Sequence, residues 1–145
     1  MRRNLRVAAW HLPLDKVGRN PIYRDSTMCT DLEPFLPLSV AAQHILLALS
    51  DENRHGYGIM QEVARQSGGK YRMGSGTLYD NLERLMEQGL VAEAPRRSTK
   101  DDPRRHYYRM TTLGRRVFSA EVMRLESVVR EAKLRLRGAR PKEAL

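Results

Sequence analysis

The stretch GSGTLYDNLERL (74–85) joins two textures. Its second half is an ordinary amphipathic helix. At about 100° per residue, Leu78, Leu82, Leu85 and the following Met86 share one side, and Thr77, Asp80 and Arg84 point the opposite way, with Tyr79 at the flank. Its first half is sparse, with Gly74 and Gly76 around Ser75 where the helix begins. Glycine has no Cβ, so backbone at these positions can approach a phosphate or a base edge closely. Free N–H groups of a first helical turn, with the positive end of the helix dipole, favour an anion. Ser75 can cap the helix, its hydroxyl or that of Thr77 can donate to phosphate or base, and Tyr79 supplies a rigid arm with a hydroxyl tip. The plainer reading is that the glycines only make a turn and Tyr79 packs on the core.

On the N-terminal side, LSVAAQHILLALSD (38–51) predicts a helix capped by Ser39, with Val40, Ile45 and Leu49 on its buried face. DENRHG (51–56) reads as a turn. GYGIMQEVARQSGG (56–69) reads as a second helix, with Ile59, Met60 and Val63 inward and Gly68-Gly69 stopping it. The third helix runs from the glycine-rich stretch to about Gln88, with Gly89 as its stop. Beyond it the period becomes twofold. LVAEA (90–94) and RHYYRM (105–110) read as strands of a hairpin around an Asp-Asp-Pro turn. Alternation puts His106, Tyr108 and Met110 on the core face, and Tyr107 on the other with Arg105 and Arg109. Thr111 or Thr112 caps a last long helix, 113–136. A helix displayed on two others, followed by a hairpin, is a winged helix-turn-helix. The expected fold is therefore mainly α with a small β-hairpin, followed by a long C-terminal helix. Residues 1–37 read as a poorly ordered leader, 38–112 as the winged domain, 113–137 as a dimerisation helix and 138–145 as a flexible tail. Met28 offers an alternative start that would leave residues 1–27 outside the native chain.

Two further features bear on function. Arg96, Arg97, Lys100, Arg104 and Arg105 crowd the hairpin loop, opposed there only by Asp101 and Asp102. Such a wing suits the phosphates or the minor groove; the plainer reading is a solvated loop tip. Along the last helix, Phe118, Val122, Leu125, Val129, Ala132 and Leu136 are spaced four, three, four, three, four. That is a heptad seam, and a second copy of the same helix would cover it economically. Leu113 and Val117, at the base, fall to the helix's own domain.

The chain has 145 residues, one domain's worth, with 26 Lys and Arg against 17 Asp and Glu and a net charge of +9, which points to a polyanion partner. Cys29 is the single cysteine, so no disulfide forms within the chain, which fits a reducing cytoplasm. No run approaches the ~20 apolar residues of a membrane span. MRRNLRVAAWHLPLD (1–15) has too short an apolar run for a signal peptide. The localisation expected is cytoplasmic. Enzyme motifs fail one by one. GSG is not the Gly-x-Ser-x-Gly elbow, GGKY lacks the Ser/Thr of a P-loop, and the last glycine of a dinucleotide fingerprint falls on Tyr79. His11, His44, His55 and His106 do not pair with Cys29 at metal-ligand spacing, so no metal and no cofactor is expected. His44 reads as a satisfied core or boundary residue. An RNA platform would need exposed aromatics that the pattern does not offer. A winged helix that binds protein and not DNA is the alternative, favoured by Asp80, Glu83 and Glu87 on the third helix.

HILLALSDENRHGYGIMQEV (44–63), GTLYDNLERLMEQGLV (76–91) and DDPRRHYYRMTTLGRRVFSAEVMRLESVV (101–129) resemble the PadR family of bacterial transcriptional regulators. The resemblance spans about residues 38–136 and is closest to the small subfamily, in which one long helix dimerises. It implies a homodimeric winged helix that represses a promoter at a palindromic double-stranded operator and releases it on sensing a small-molecule effector or stress. It adds Tyr57 to Ser75, Thr77, Tyr79 and the wing arginines as DNA contacts. Some small members hold flat aromatic drugs with a tryptophan between dimer helices. Here Trp10 is the only tryptophan, and Phe118 is the only aromatic in the last helix, which argues against drug sensing of that kind.

Overall fold

Ser39 takes extended backbone and its hydroxyl accepts from the Ala42 N–H at 3.2 Å, which starts α1 (Val40–Ala48) where the sequence predicts it. A computed structural model describes residues 31–96 and 98–138. They fall into two compact units, Pro37–Phe118 and a second that includes 31–36 and 119–138. In α1, Ala42, Ile45, Leu46 and Ala48 are buried. Val40 is not: it is 56% exposed, because five residues of helix turn it about 140° away from Ile45. The expectation of a buried Val40 is corrected on that ground.

The segment read as a turn holds a strand. Arg54–His55 forms β1, two residues long. Such a strand carries no period to read; it exists because β3 (Tyr107–Met110) offers an edge to it. With β2 (Val91–Ala94) on the other side, the sheet is antiparallel in the order β1-β3-β2, Val91 opposite Met110 and Ala94 opposite Tyr107. The hairpin is thus a three-stranded sheet. Its central strand breaks the expected alternation. Tyr107 is buried as well as Tyr108 and Met110, since β1 brings His55 edge-on to the Tyr107 ring at 5.5 Å. His106, expected inward, lies outside the strand and is exposed, 3.7 Å from the Glu93 carboxylate.

Helix α2 (Gly56–Gln66) is capped by His55, whose Nδ1 accepts from the Gly58 N–H at 3.1 Å. Ile59 and Val63, one turn apart, are fully buried; Met60 is only half-buried. Gly68 and Gly69 end the helix at φ 61° and 77°, a left-handed conformation that glycine adopts without strain. His44 of α1 stacks on Tyr71 at 4.4 Å, and the Gln66 amide nitrogen donates to the His44 carbonyl at 2.9 Å, so His44 is the partnered boundary residue expected.

Helix α3 (Ser75–Glu87) buries Leu78, Leu82 and Leu85 and ends at Gly89, φ 75°. The last helix, α4 (Thr112–Gly138), opens on a compact junction. The Thr111 hydroxyl donates to the Gly89 carbonyl at 2.6 Å and accepts from the Gly114 N–H at 2.9 Å, and the Thr111 N–H donates to the Leu90 carbonyl at 3.0 Å. Thr111 is thereby the cap of α4 and the tie to the end of α3. Val117 is fully buried, as its place at the base of the helix predicts.

Candidate nucleic-acid interface

The first turn of α3 opens on Gly74. At φ −78° and ψ 169° this residue occupies the cap position, and its carbonyl accepts from the Leu78 N–H at 3.0 Å. Ser75 is the first helical residue and makes no capping bond, which corrects the expectation that it caps the helix. The start is shifted by one residue because glycine serves as a cap nearly as well as serine. No acidic residue stands in the first turn to meet the dipole.

Neither glycine of this turn is forced by the protein itself. The positive-φ glycines are Gly68, Gly69 and Gly89, so Gly74 and Gly76 are not required by backbone angle. A Cβ at either would meet nothing within 4 Å, so packing does not require glycine there either. Glycine at Gly76 costs about 1 kcal/mol of helix stability relative to alanine. Both positions face open space outside the protein. Tyr79, expected inward on the plainer reading, is 51% exposed, and Tyr57 on α2 is 61% exposed. Ser75, Gly76, Thr77, Asp80 and Arg84 are all exposed, and the Asn81 amide donates to the Thr77 carbonyl at 2.7 Å.

The wing is held by its acids. The Asp101 carboxylate accepts from the Ser98 N–H at 3.0 Å and the Asp102 carboxylate from the Arg104 N–H at 2.9 Å. Arg96, Lys100, Arg104 and Arg105 are exposed, and among the described residues no ion pair engages them. Arg97 lies outside the described residues. Next to the wing, burial pushes the Tyr108 phenol above the usual tyrosine range, with smaller contributions from neighbouring Tyr79 and Glu93.

The seam residues are placed less uniformly. Phe118 belongs to the Pro37–Phe118 unit and is half-buried. In the other unit, Leu125 is half-buried, while Val122, Val129, Ala132 and Leu136 are exposed. The leader before residue 31, with Trp10, Met28 and Cys29, and the tail after 138 lie outside the described residues. Among those residues no helix is long and apolar enough to cross a membrane, and no cluster of His, Cys, Asp and Glu could hold a metal.

Sequence reasoning missed two supports of the site. One is His55, which caps α2 two residues before Tyr57; only its place before a helical period hints at this. The other is an ion cluster that ties α2 to β1, in which Glu62 meets Arg65 at 2.6 Å and Arg54 at 3.8 Å. The hydrogen bond from Arg65 holds the Glu62 carboxyl below its ordinary range, with the Arg65 and Arg54 charges adding to it.

A glycine-opened helix carried on two others, beside a three-stranded sheet with a basic loop, defines a winged helix-turn-helix protein of the DNA-binding class. The family model for the PadR-like family of transcriptional regulators matches residues 45–120. The chain belongs to that family. It is 36% identical, over 61% of its length and 78% of the relative's, to transcriptional regulator Rv3488 of Mycobacterium tuberculosis. Two solved structures share the fold. A PadR family transcription regulator from Clostridium difficile superposes with a TM-score of 0.56 at 19% identity, over 68% of this chain and 99% of that one. Bacillus subtilis PadR, solved in complex with operator DNA, superposes with a TM-score of 0.50 at 21% identity, over 59% of this chain and 48% of that one.

Proposed function

We propose that this transcriptional regulator is a homodimeric repressor that reads a palindromic operator through α3 and lets go of it when a small molecule or stress signal shifts the dimer. The observation that carries the reading is the first turn of α3: uncapped by any side chain, opened by two glycines that neither backbone angle nor packing requires, and bordered by exposed Thr77 and Tyr79. In this reading Ser75, Gly76, Thr77 and Tyr79 enter the major groove, with Tyr57, Asp80 and Arg84 around them. Arg96, Arg97, Lys100, Arg104 and Arg105 lie along the phosphates. Residues 38–112 are the reading domain and 113–137 the dimerising helix, with Phe118, Val122, Leu125, Val129, Ala132 and Leu136 as its seam. The exposed Val122, Val129 and Leu136 support that assignment, since apolar side chains in a row gain from a partner.

The test separates phosphate anchoring from base reading. Replacing Arg96, Arg97 and Lys100 together with Ala should weaken binding to all duplexes about equally. It should also flatten the dependence of log K on log salt by roughly 0.9 for each phosphate that is no longer neutralised. Thr77→Ala should instead hurt a selected operator more than random duplex, by ~1–3 kcal/mol if it reads a base edge. A protein-interaction module, the reading toward which Asp80, Glu83 and Glu87 point, would select no duplex over random sequence and would show only the weak, salt-sensitive attraction of a basic chain.

A further inference from the structure

We propose that Gly56 is a positioning residue for DNA recognition: its missing side chain seats the phenol of Tyr79 on the backbone at the start of α2, so that two helices jointly fix where the hydroxyl is presented. The proposal rests on the reading that Tyr79 touches DNA, and it goes further by naming what aims that side chain. Gly56 is buried and opens α2, 23 positions before Tyr79 on α3. A Cβ built on Gly56 would stand 2.6 Å from the Tyr79 hydroxyl oxygen and 3.1 Å from the Cζ that bears it, and at an ordinary 3.5 Å from Leu78 Cδ2. Gly56 is not among the positive-φ glycines, and the first position of a helix accepts alanine readily. The close obstacle to a Cβ at this position is thus one side chain, and that side chain is half-exposed.

The contrast with the core decides the role. Were the obstacle backbone or a packed leucine, the glycine would be a matter of stability. The atoms in the way are the far end of an exposed tyrosine, which can yield. To reach the 3.4 Å where ordinary contact begins, the hydroxyl must move by about 0.8 Å. A hydrogen bond held between 2.5 and 3.0 Å for O–H···O does not survive a displacement of that size without realignment. Leu78, whose Cδ2 would stand 3.5 Å from the same Cβ, needs no such movement, so the shift falls on the phenol. Alanine at Gly56 therefore leaves the fold in place and turns the tyrosine away from its aim.

The experiment uses the full chain and a duplex carrying the site that wild-type protein selects from a randomised library, with a random duplex beside it, both followed by fluorescence anisotropy. Gly56→Ala should weaken binding to the selected duplex about tenfold, within the range of one base-edge contact. It should change binding to random duplex less than about twofold and leave the melting temperature near that of wild type. On a Tyr79→Ala background, where the phenol is gone, Gly56→Ala should have no further effect. Gly56→Ala binding like wild type while Tyr79→Ala is weakened would overturn the proposal and leave Tyr79 as a contact. Equal losses from Gly56→Ala with and without the phenol, or unfolding by Gly56→Ala, would also overturn it. Unchanged binding by Tyr79→Ala would remove Tyr79 from the interface and the proposal with it.

Discussion

Gly114→Ala should unfold the winged unit far more readily than its single added methyl suggests. The methyl carbon would lie 2.0 Å from the Leu90 carbonyl oxygen, 2.9 Å from the Leu90 carbonyl carbon and 3.0 Å from Met110 Cγ. Two of these are backbone atoms, which cannot swing aside. Reaching the 3.4 Å of ordinary contact requires the start of α4 to move by about 1.4 Å from the end of α3. That movement pulls on the Thr111 N–H bond to Leu90 and on the Thr111 hydroxyl bond to Gly89. Forced overpacking costs about 1–3 kcal/mol, and each strained hydrogen bond adds about 1 kcal/mol. Alanine returns about 1 kcal/mol as the better helix former. The net loss is about 2–4 kcal/mol, which in a domain of this size lowers the melting temperature by roughly 10–25 °C. The assay is thermal unfolding followed by circular dichroism at matched protein concentration, with Gly74→Ala as the control. Gly74 has nothing within 4 Å and a negative φ, so its substitution should cost only the difference between glycine and alanine as a helix cap, about 1 kcal/mol, clearly less than the loss at Gly114. A Gly114→Ala protein that melts within about 2 °C of wild type would refute the claim that α4 lies directly on the Leu90 backbone.

Three other outcomes follow from particular residues. Leu125→Asp puts a charge mid-seam and should turn a dimer into a monomer in sedimentation while most helix content remains; a variant that still sediments with wild-type dimer sinks the seam assignment. His55→Ala removes the cap of α2 and the edge contact to Tyr107, at a cost of about 1–2 kcal/mol in urea unfolding, whereas His55→Asn should keep much of the cap; equal losses for the two would make the cap irrelevant. The lowered pKa of Glu62 means that the folded state binds its proton less readily than the unfolded state, whose reference is 4.5. The resulting stability is fully present above 4.5 and fades as pH falls through the lower folded value, so the stability gap between wild type and Glu62→Gln should narrow on acidification; a constant gap would contradict the Arg65 pairing.

Much of the fold is local physics, and local physics is written in order along the chain. The cap at Ser39, the one-turn pair Ile59 and Val63, the leucines of α3 and the stops at Gly68-Gly69 and Gly89 each depend on neighbours within a turn or two, and the sequence determines them. So does the concentration of cations between β2 and β3. The candidate site is proposed from the same kind of local pattern: glycines, hydroxyls and an aromatic sit within about one turn of helix. The tertiary structure decided what depends on distant partners. Two-residue β1 has no period and exists through pairing with β3. Tyr107 is buried because β1 brings His55 edge-on against its ring. Whether Ser75 or Gly74 caps α3 is a shift of one residue between groups of similar capping strength. Above all, a glycine in a sequence states only that a side chain is missing. Gly114 is empty to admit the Leu90 carbonyl, Gly56 to admit the Tyr79 phenol, and Gly76 faces open space; only the folded chain tells these three apart, because the atoms that a Cβ would meet belong to other elements.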